Sequence, residues 1–175
     1  MSKRKNLEIW ALMDGVSGHD SQVLGVCDAL GLPYNKKKIS YNESAKLPNF
    51  LKLDGLKTID EENSDIIGAP WPDIIISCGR KSAAVATAIK AKAKKAGTKT
   101  FATQILWPGK IGNFDLVTIP EHDFISWPAS RSKKIMRFVG SPNRITQEFL
   151  LNEYRIWART LGEMPSPKVA ILIGG

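Results

Sequence analysis

The sequence predicts an α/β fold, a parallel sheet with helices on both of its faces. Three observations predict it. The run Ile9-Trp10-Ala11-Leu12-Met13 stops at Asp14-Gly15-Val16-Ser17-Gly18, and a helical pattern begins at once. The run Ile74-Ile75-Ile76-Ser77-Cys78 repeats that arrangement, turning at Gly79 into an alanine-rich helical stretch. Short apolar segments then recur at 99–106, 114–119 and 134–139 with turn residues between them. Strand, glycine turn and helix form the repeating unit of a doubly wound sheet, and unbroken apolar runs suit strands buried on both faces.

Taken in order, residues 7–13 read as the first strand. From His19 the apolar positions Val23, Val26, Cys27 and Leu30 fall on one face of a helix over 19–30, which Gly31-Leu32-Pro33 ends. Residues 34–40 read as a second strand, polar enough to lie near an edge. The stretch 41–71 is irregular, with a short helix expected over 47–53 and an acidic loop at Asp60, Glu61, Glu62 and Asp65 that reads as solvated. The strand at 74–78 leads into a helix to about Ala96 that packs through Val85, Ile89, Ala93 and Ala96, with Gly97 as its stop. After the strands at 99–106, 114–119 and 134–139, Thr146 can cap a helix to about Leu161. Its expected core side carries Phe149, Leu150, Tyr154, Trp157 and Leu161. Residues 1–162 therefore read as one domain and 163–167 as a linker. Residues 168–175 read as a strand and glycine turn that open a second α/β domain, so the chain is expected to be a fragment.

Composition narrows the function classes. The 175 residues suffice for a sizeable core, and 43% hydrophobic with 24% charged residues is ordinary for a globular protein. The net charge of +8 is uneven: no acid stands between Asp73 and Asp115, where eight basic residues lie. A basic patch attracts phosphates, anionic lipid or nucleic acid. The lysines at 90–95 lack interleaved aromatics and flank an apolar face, so they read as a solvated surface, and no nucleic-acid partner is expected. Cys27 and Cys78 have no CxxC spacing and suggest neither metal nor disulfide. With no secretory core and no membrane-length run, the expected location is cytoplasmic, with peripheral contact to an anionic membrane as the alternative.

The candidate site residues all follow predicted parallel strands, where such folds bind ligands. Gly15 and Gly18 allow a tight turn and close backbone approach, while Ser17, His19 and Gln22 sit at a helix start that favours an anion. His19 is the expected general base, because imidazole titrates near neutrality. The bland alternative is a helix-start histidine resting on the core. Gly79 and Arg80 follow the second organised strand; the guanidinium fork suits phosphate or carboxylate, or a salt bridge to a loop acid such as Asp14. Glu121 and His122, next to Asp123, are expected to contact an acceptor or orient His19, with a plain structural loop as the alternative. Consecutive residues point apart, so joint metal ligation is not expected. Gly15 and Gly18 do not make G-x-G-x-x-G, and the second strand ends in Lys36-Lys37-Lys38-Ile39-Ser40 without an acid, which argues against bound NAD; no cofactor is expected.

Four segments together resemble one family. They are Gly15-Val16-Ser17-Gly18-His19-Asp20-Ser21-Gln22, Pro72-Asp73-Ile74-Ile75-Ile76-Ser77-Cys78-Gly79-Arg80-Lys81, Phe114-Asp115-Leu116-Val117-Thr118-Ile119-Pro120-Glu121-His122-Asp123 and Pro167-Lys168-Val169-Ala170-Ile171-Leu172-Ile173-Gly174-Gly175. In this order they look like the Elm-type mitochondrial fission family, whose members are about twice as long and are often labelled nucleoside-diphosphate-sugar epimerases. The resemblance implies a GT-B-like pair of Rossmann-like domains facing a cleft, this chain being the N-terminal, acceptor-side domain and the missing half holding most of a nucleotide sugar. It implies glycosyl transfer or sugar-nucleotide binding by the whole protein and an inactive fragment. The alternative is a noncatalytic interaction module in membrane division or envelope assembly.

Overall fold

The structure, a computed structural model, describes residues 7–46, 54–123 and 132–173. The helix expected over 47–53 and the terminal Gly174-Gly175 turn lie outside the described residues. Six strands form one sheet: β1 (Ile9–Met13), β2 (Asn35–Lys38), β3 (Ile74–Cys78), β4 (Phe101–Ile105), β5 (Leu116–Pro120) and β6 (Ile135–Phe138). Their order is β2-β1-β3-β4-β5-β6, and every pairing is parallel. The fold is Rossmann-like α/β, as the strand and glycine-turn pattern predicts.

Side-chain alternation explains why the strands are apolar throughout. Trp10, Leu12 and Ile75 face one way and join Val85, Ala86 and Ile89 of α2 (Arg80–Lys95). Ile9, Ala11 and Ile76 face the other way and join Val23 and Cys27 of α1 (Ser17–Leu30). Period-2 strands sandwiched between two helix layers must be apolar on both faces. Each fully buried isoleucine contributes roughly 1.5–3 kcal/mol. Gly31, in the left-handed conformation at φ 62°, ends α1.

β2 is an edge strand. The loop at 60–65, read from sequence as merely solvated, closes that edge: the Asp65 carboxylate accepts the Lys38 amide at 2.7 Å, and the Asp65 amide donates to the Lys38 carbonyl at 2.9 Å. Ser64 Oγ accepts the Ser40 amide at 2.8 Å. These bonds occupy groups that would otherwise template a foreign strand. The chain then returns past β1 to form β3 on its far side. Strand order reverses between β1 and β3, and a reversal of that kind opens a crevice at the carboxyl ends of the strands.

The chain divides into two compact units, Met1–Arg144 and Ile145–Gly175. The second contains α3 (Gln147–Gly162), whose start Thr146 caps by accepting the Phe149 amide at 3.1 Å. The helix forms as the sequence predicts, but its expected core side is not buried. Phe149, Leu150, Tyr154, Trp157 and Leu161 are all exposed. A unit this short cannot build a core of its own. Residues 168–173 carry no regular element and are exposed.

Candidate functional site at the β1–β3 switch point

The site begins where β1 ends. Gly15 turns the chain at φ +79°, and α1 starts two residues later. The Asp14 side chain, only 4% exposed, has two partners. One oxygen accepts the Val16 amide at 3.1 Å, and the other lies 2.9 Å from His19 Nδ1. A carboxylate accepting from Nδ1–H puts the proton on that nitrogen and leaves Nε2 as an acceptor. The His19 ring is 29% exposed, and Nε2 has no partner among the described residues.

The other wall comes from β3. Gly79 adopts φ +83°, and the His19 ring lies directly over it: a Cβ on Gly79 would stand 2.5 Å from His19 Cε1. The Gly79 turn is braced from the sheet. Gln104, fully buried on β4, donates to the carbonyls of Gly79 at 3.0 Å and Ile105 at 2.8 Å, while its Oε1 accepts from Ser77 Oγ at 2.6 Å. The Ser82 hydroxyl also donates to the Gly79 carbonyl, at 3.1 Å. Such a satisfied buried network holds one geometry firmly.

Carboxylates dominate the α1 side. Asp20 Oδ1 accepts the Asp14 amide at 3.0 Å, and burial together with the neighbouring Asp14 charge holds the Asp20 carboxyl above its ordinary range. Burial, reinforced by Asp14 and Asp20, pushes the Cys78 thiol up to about 12 and raises the Tyr41 phenol as well. Lys81 Nζ lies 5.5 Å from the Tyr41 ring centroid. The chain thus meets the positive end of α1 with its own acids, where the sequence suggested a bound anion. The start of α2 differs: its first turn has no acid and carries Arg80 and Lys81.

Residues 17–175 match the family described as Mitochondrial fission ELM1. The chain belongs to this family. It is also similar to an uncharacterized protein of Rickettsia prowazekii (strain Madrid E), 32% identical over 120 residues. That match covers 67% of this chain and 33% of the relative, so the chain spans about a third of that protein. No solved structure matches.

In this ELM1-family chain the structure brings some sequence-predicted residues together and separates others. Gly15, His19 and Gly79 converge as described. Ser17 is the first helical residue, but the cap position is Val16 and no side chain caps the helix. Gly18 has no positive φ and open space at its Cβ, so nothing in the backbone requires glycine there. Gln22 Oε1 and the Tyr41 hydroxyl are buried without a hydrogen-bond partner among the described residues. Arg80 is exposed and forms no ion pair among the described residues; Asp14, its suggested partner, is taken by His19. Glu121 and His122 leave the same sheet edge, but β5 lies three strand positions from β1, roughly 14 Å away at ~4.8 Å per strand. Both are exposed, and Arg137 pins their loop by donating to the carbonyls of Glu121 at 2.8 Å and Asp123 at 2.9 Å. Among the described residues no group of His, Cys, Asp and Glu is placed to hold a metal ion, and no helix is long and apolar enough to cross a membrane.

Asp20, Tyr41, Lys81 and Gln104 belong to the site but carry no mark of it in the sequence, which points to Asp14 only as a partner for Arg80. Asp14 and His19 had a usable local signal, an acid and a histidine flanking one glycine turn. Tyr41 and Gln104 had none, because their neighbours are distant in sequence.

Proposed function

We propose that this chain is the acceptor-side domain of a glycosyl-transferring protein with two Rossmann-like domains, and that His19 is its general base. The observation that carries the reading is the Asp14–His19 pair at the strand-order reversal. Asp14 holds the ring and its tautomer, as the carboxylate of a catalytic triad does. His19 Nε2 then takes the proton of an acceptor hydroxyl as that oxygen bonds to the anomeric carbon of the donor sugar. The bond from that carbon to the nucleoside diphosphate breaks, and its electron pair leaves with the diphosphate. The acids around α1 suit a hydroxyl and repel a phosphate. That polarity supports an acceptor at this end and a donor held mainly by the second domain. Gly15, Ser17, Gly18, Gln22, Gly79 and Arg80 would line the acceptor side, with Glu121 and His122 at its margin.

The test is nucleoside-diphosphate release by a full-length family protein supplied with UDP- and GDP-sugars, compared with its variant at the position of His19. A general base contributes about 10²–10⁴-fold, so His19→Ala is expected to cut turnover on that scale while the protein stays folded. Unchanged turnover in that variant would remove His19 from the mechanism. The second reading, a noncatalytic interaction module, is favoured by the exposed apolar stripe of α3; absence of release with every donor tried, together with partner-dependent protection of Trp157, would replace the first reading with it.

A further inference from the structure

A groove lies away from His19, along α2. This groove of about 780 Å³ is floored by Ala84, Ala88 and Ala91, three positions on one helix face. Its rim carries Lys92, Lys95 and Lys110. None of these three lysines forms an ion pair among the described residues. On one side the turn at Gly55–Thr58 packs so tightly on α2 that a Cβ at Gly55 would come within 2.1 Å of the Ala84 carbonyl oxygen. The loop at 108–114 forms the opposite wall.

We propose that this groove docks an acidic amphipathic helix of a partner protein. The floor suits a helix, because side chains that end at Cβ let a second helix approach closely. From Ala84 to Lys95 the floor runs about 17 Å, room for roughly three helical turns at 1.5 Å per residue. Charge selects the occupant. Three lysines without an ion pair among the described residues sit on the rim against one acid in the described lining, Asp54, whose carboxylate accepts the Leu56 amide at 3.0 Å, so the rim carries a net positive charge. No acid occurs in the sequence between Asp73 and Asp115. The same face of a second copy would set lysine against lysine, so the surface disfavours self-pairing and favours glutamate and aspartate flanking a small-residue or leucine stripe. The proposal is independent of the His19 site.

The probes are two labelled 14-residue helical peptides with the same Leu and Ala stripe, one flanked by Glu and the other by Lys, titrated against the 175-residue chain by fluorescence anisotropy. The Glu peptide is expected to bind at least tenfold tighter than the Lys peptide. Lys92→Glu combined with Lys95→Glu, both exposed positions, is expected to reverse that preference. Ala88→Phe, which fills the groove without changing its charge, is expected to weaken the Glu peptide at least tenfold with an unchanged circular dichroism spectrum. Equal affinity for the two peptides, no measurable binding of either, or binding that Ala88→Phe leaves intact would each overturn the proposal, the last by revealing plain surface attraction.

Discussion

The imidazole of His19 lies against the α-carbon of Gly79, leaving no room for a side chain between the loop that follows β1 and the loop that follows β3. Gly15 has a similar backbone, φ +79° against +83°, but open space where its Cβ would be. The pair separates strain from steric clash. Both Gly15→Ala and Gly79→Ala are expected to lose about 1–3 kcal/mol to the left-handed backbone. Gly79→Ala alone is expected to move the His19 ring, read as a displaced imidazole resonance by NMR. Identical imidazole spectra in the two variants would refute the contact.

Asp14 serves two partners, so Asp14→Ala is expected to leave both the Val16 amide and the His19 Nδ1–H without an acceptor. The Val16 bond is exposed and the His19 bond half-buried, so each is expected to contribute about 0.5–1.5 kcal/mol. His19→Ala leaves the Val16 bond intact and is expected to cost less. Urea denaturation of the two variants checks the order; a larger loss for His19→Ala would contradict it.

Gln104 braces the Gly79 turn from inside the sheet. Gln104→Leu is expected to destabilise by about 0.5–1.5 kcal/mol, because the Gly79 and Ile105 carbonyls keep other donors and the Ser77 hydroxyl keeps the Thr103 carbonyl as acceptor. Hydrogen exchange at the start of α2 is the sharper readout. It is expected to accelerate there and to stay slow in the β5–β6 pair.

Two aspartates pull stability in opposite directions with pH. Burial raises the carboxyl of Asp115, but the hydrogen bond from Lys90 and the Ala102 amide outweigh it and hold Asp115 below its ordinary 3.8. Its contribution is therefore present above that value and is lost as pH falls through the lowered folded value. Asp20 is raised, so its contribution is present below 3.8 and is lost as pH rises through the raised folded value. Asp115→Asn is expected to flatten the acid limb of the melting-temperature profile. Asp20→Asn, which keeps an acceptor for the Asp14 amide, is expected to raise the melting temperature at pH 7. A lower value there would show that the Asp20 charge is stabilising.

What the sequence determined by itself was the local chemistry of this ELM1-family chain. Unbroken apolar runs specify buried strands, the spacing of Val23 and Cys27 specifies the inward face of α1, although Leu30 of the same pattern ends up exposed, and Gly15 and Gly79 mark backbone that side chains rarely adopt. Those signals depend on residues within one or two turns of each other, so they are readable without the fold. Strand order is not such a signal, and only the tertiary structure placed β1 between β2 and β3. That placement set His19 on Gly79, sixty positions away in the chain, turned the 60–65 loop into the cover of an edge, and gave the buried Gln104 its carbonyl partners. Within its own short unit, α3 has no second element among the described residues to cover its apolar stripe. An amphipathic pattern shows which face is apolar, and burial of that face depends on what the rest of the fold brings against it.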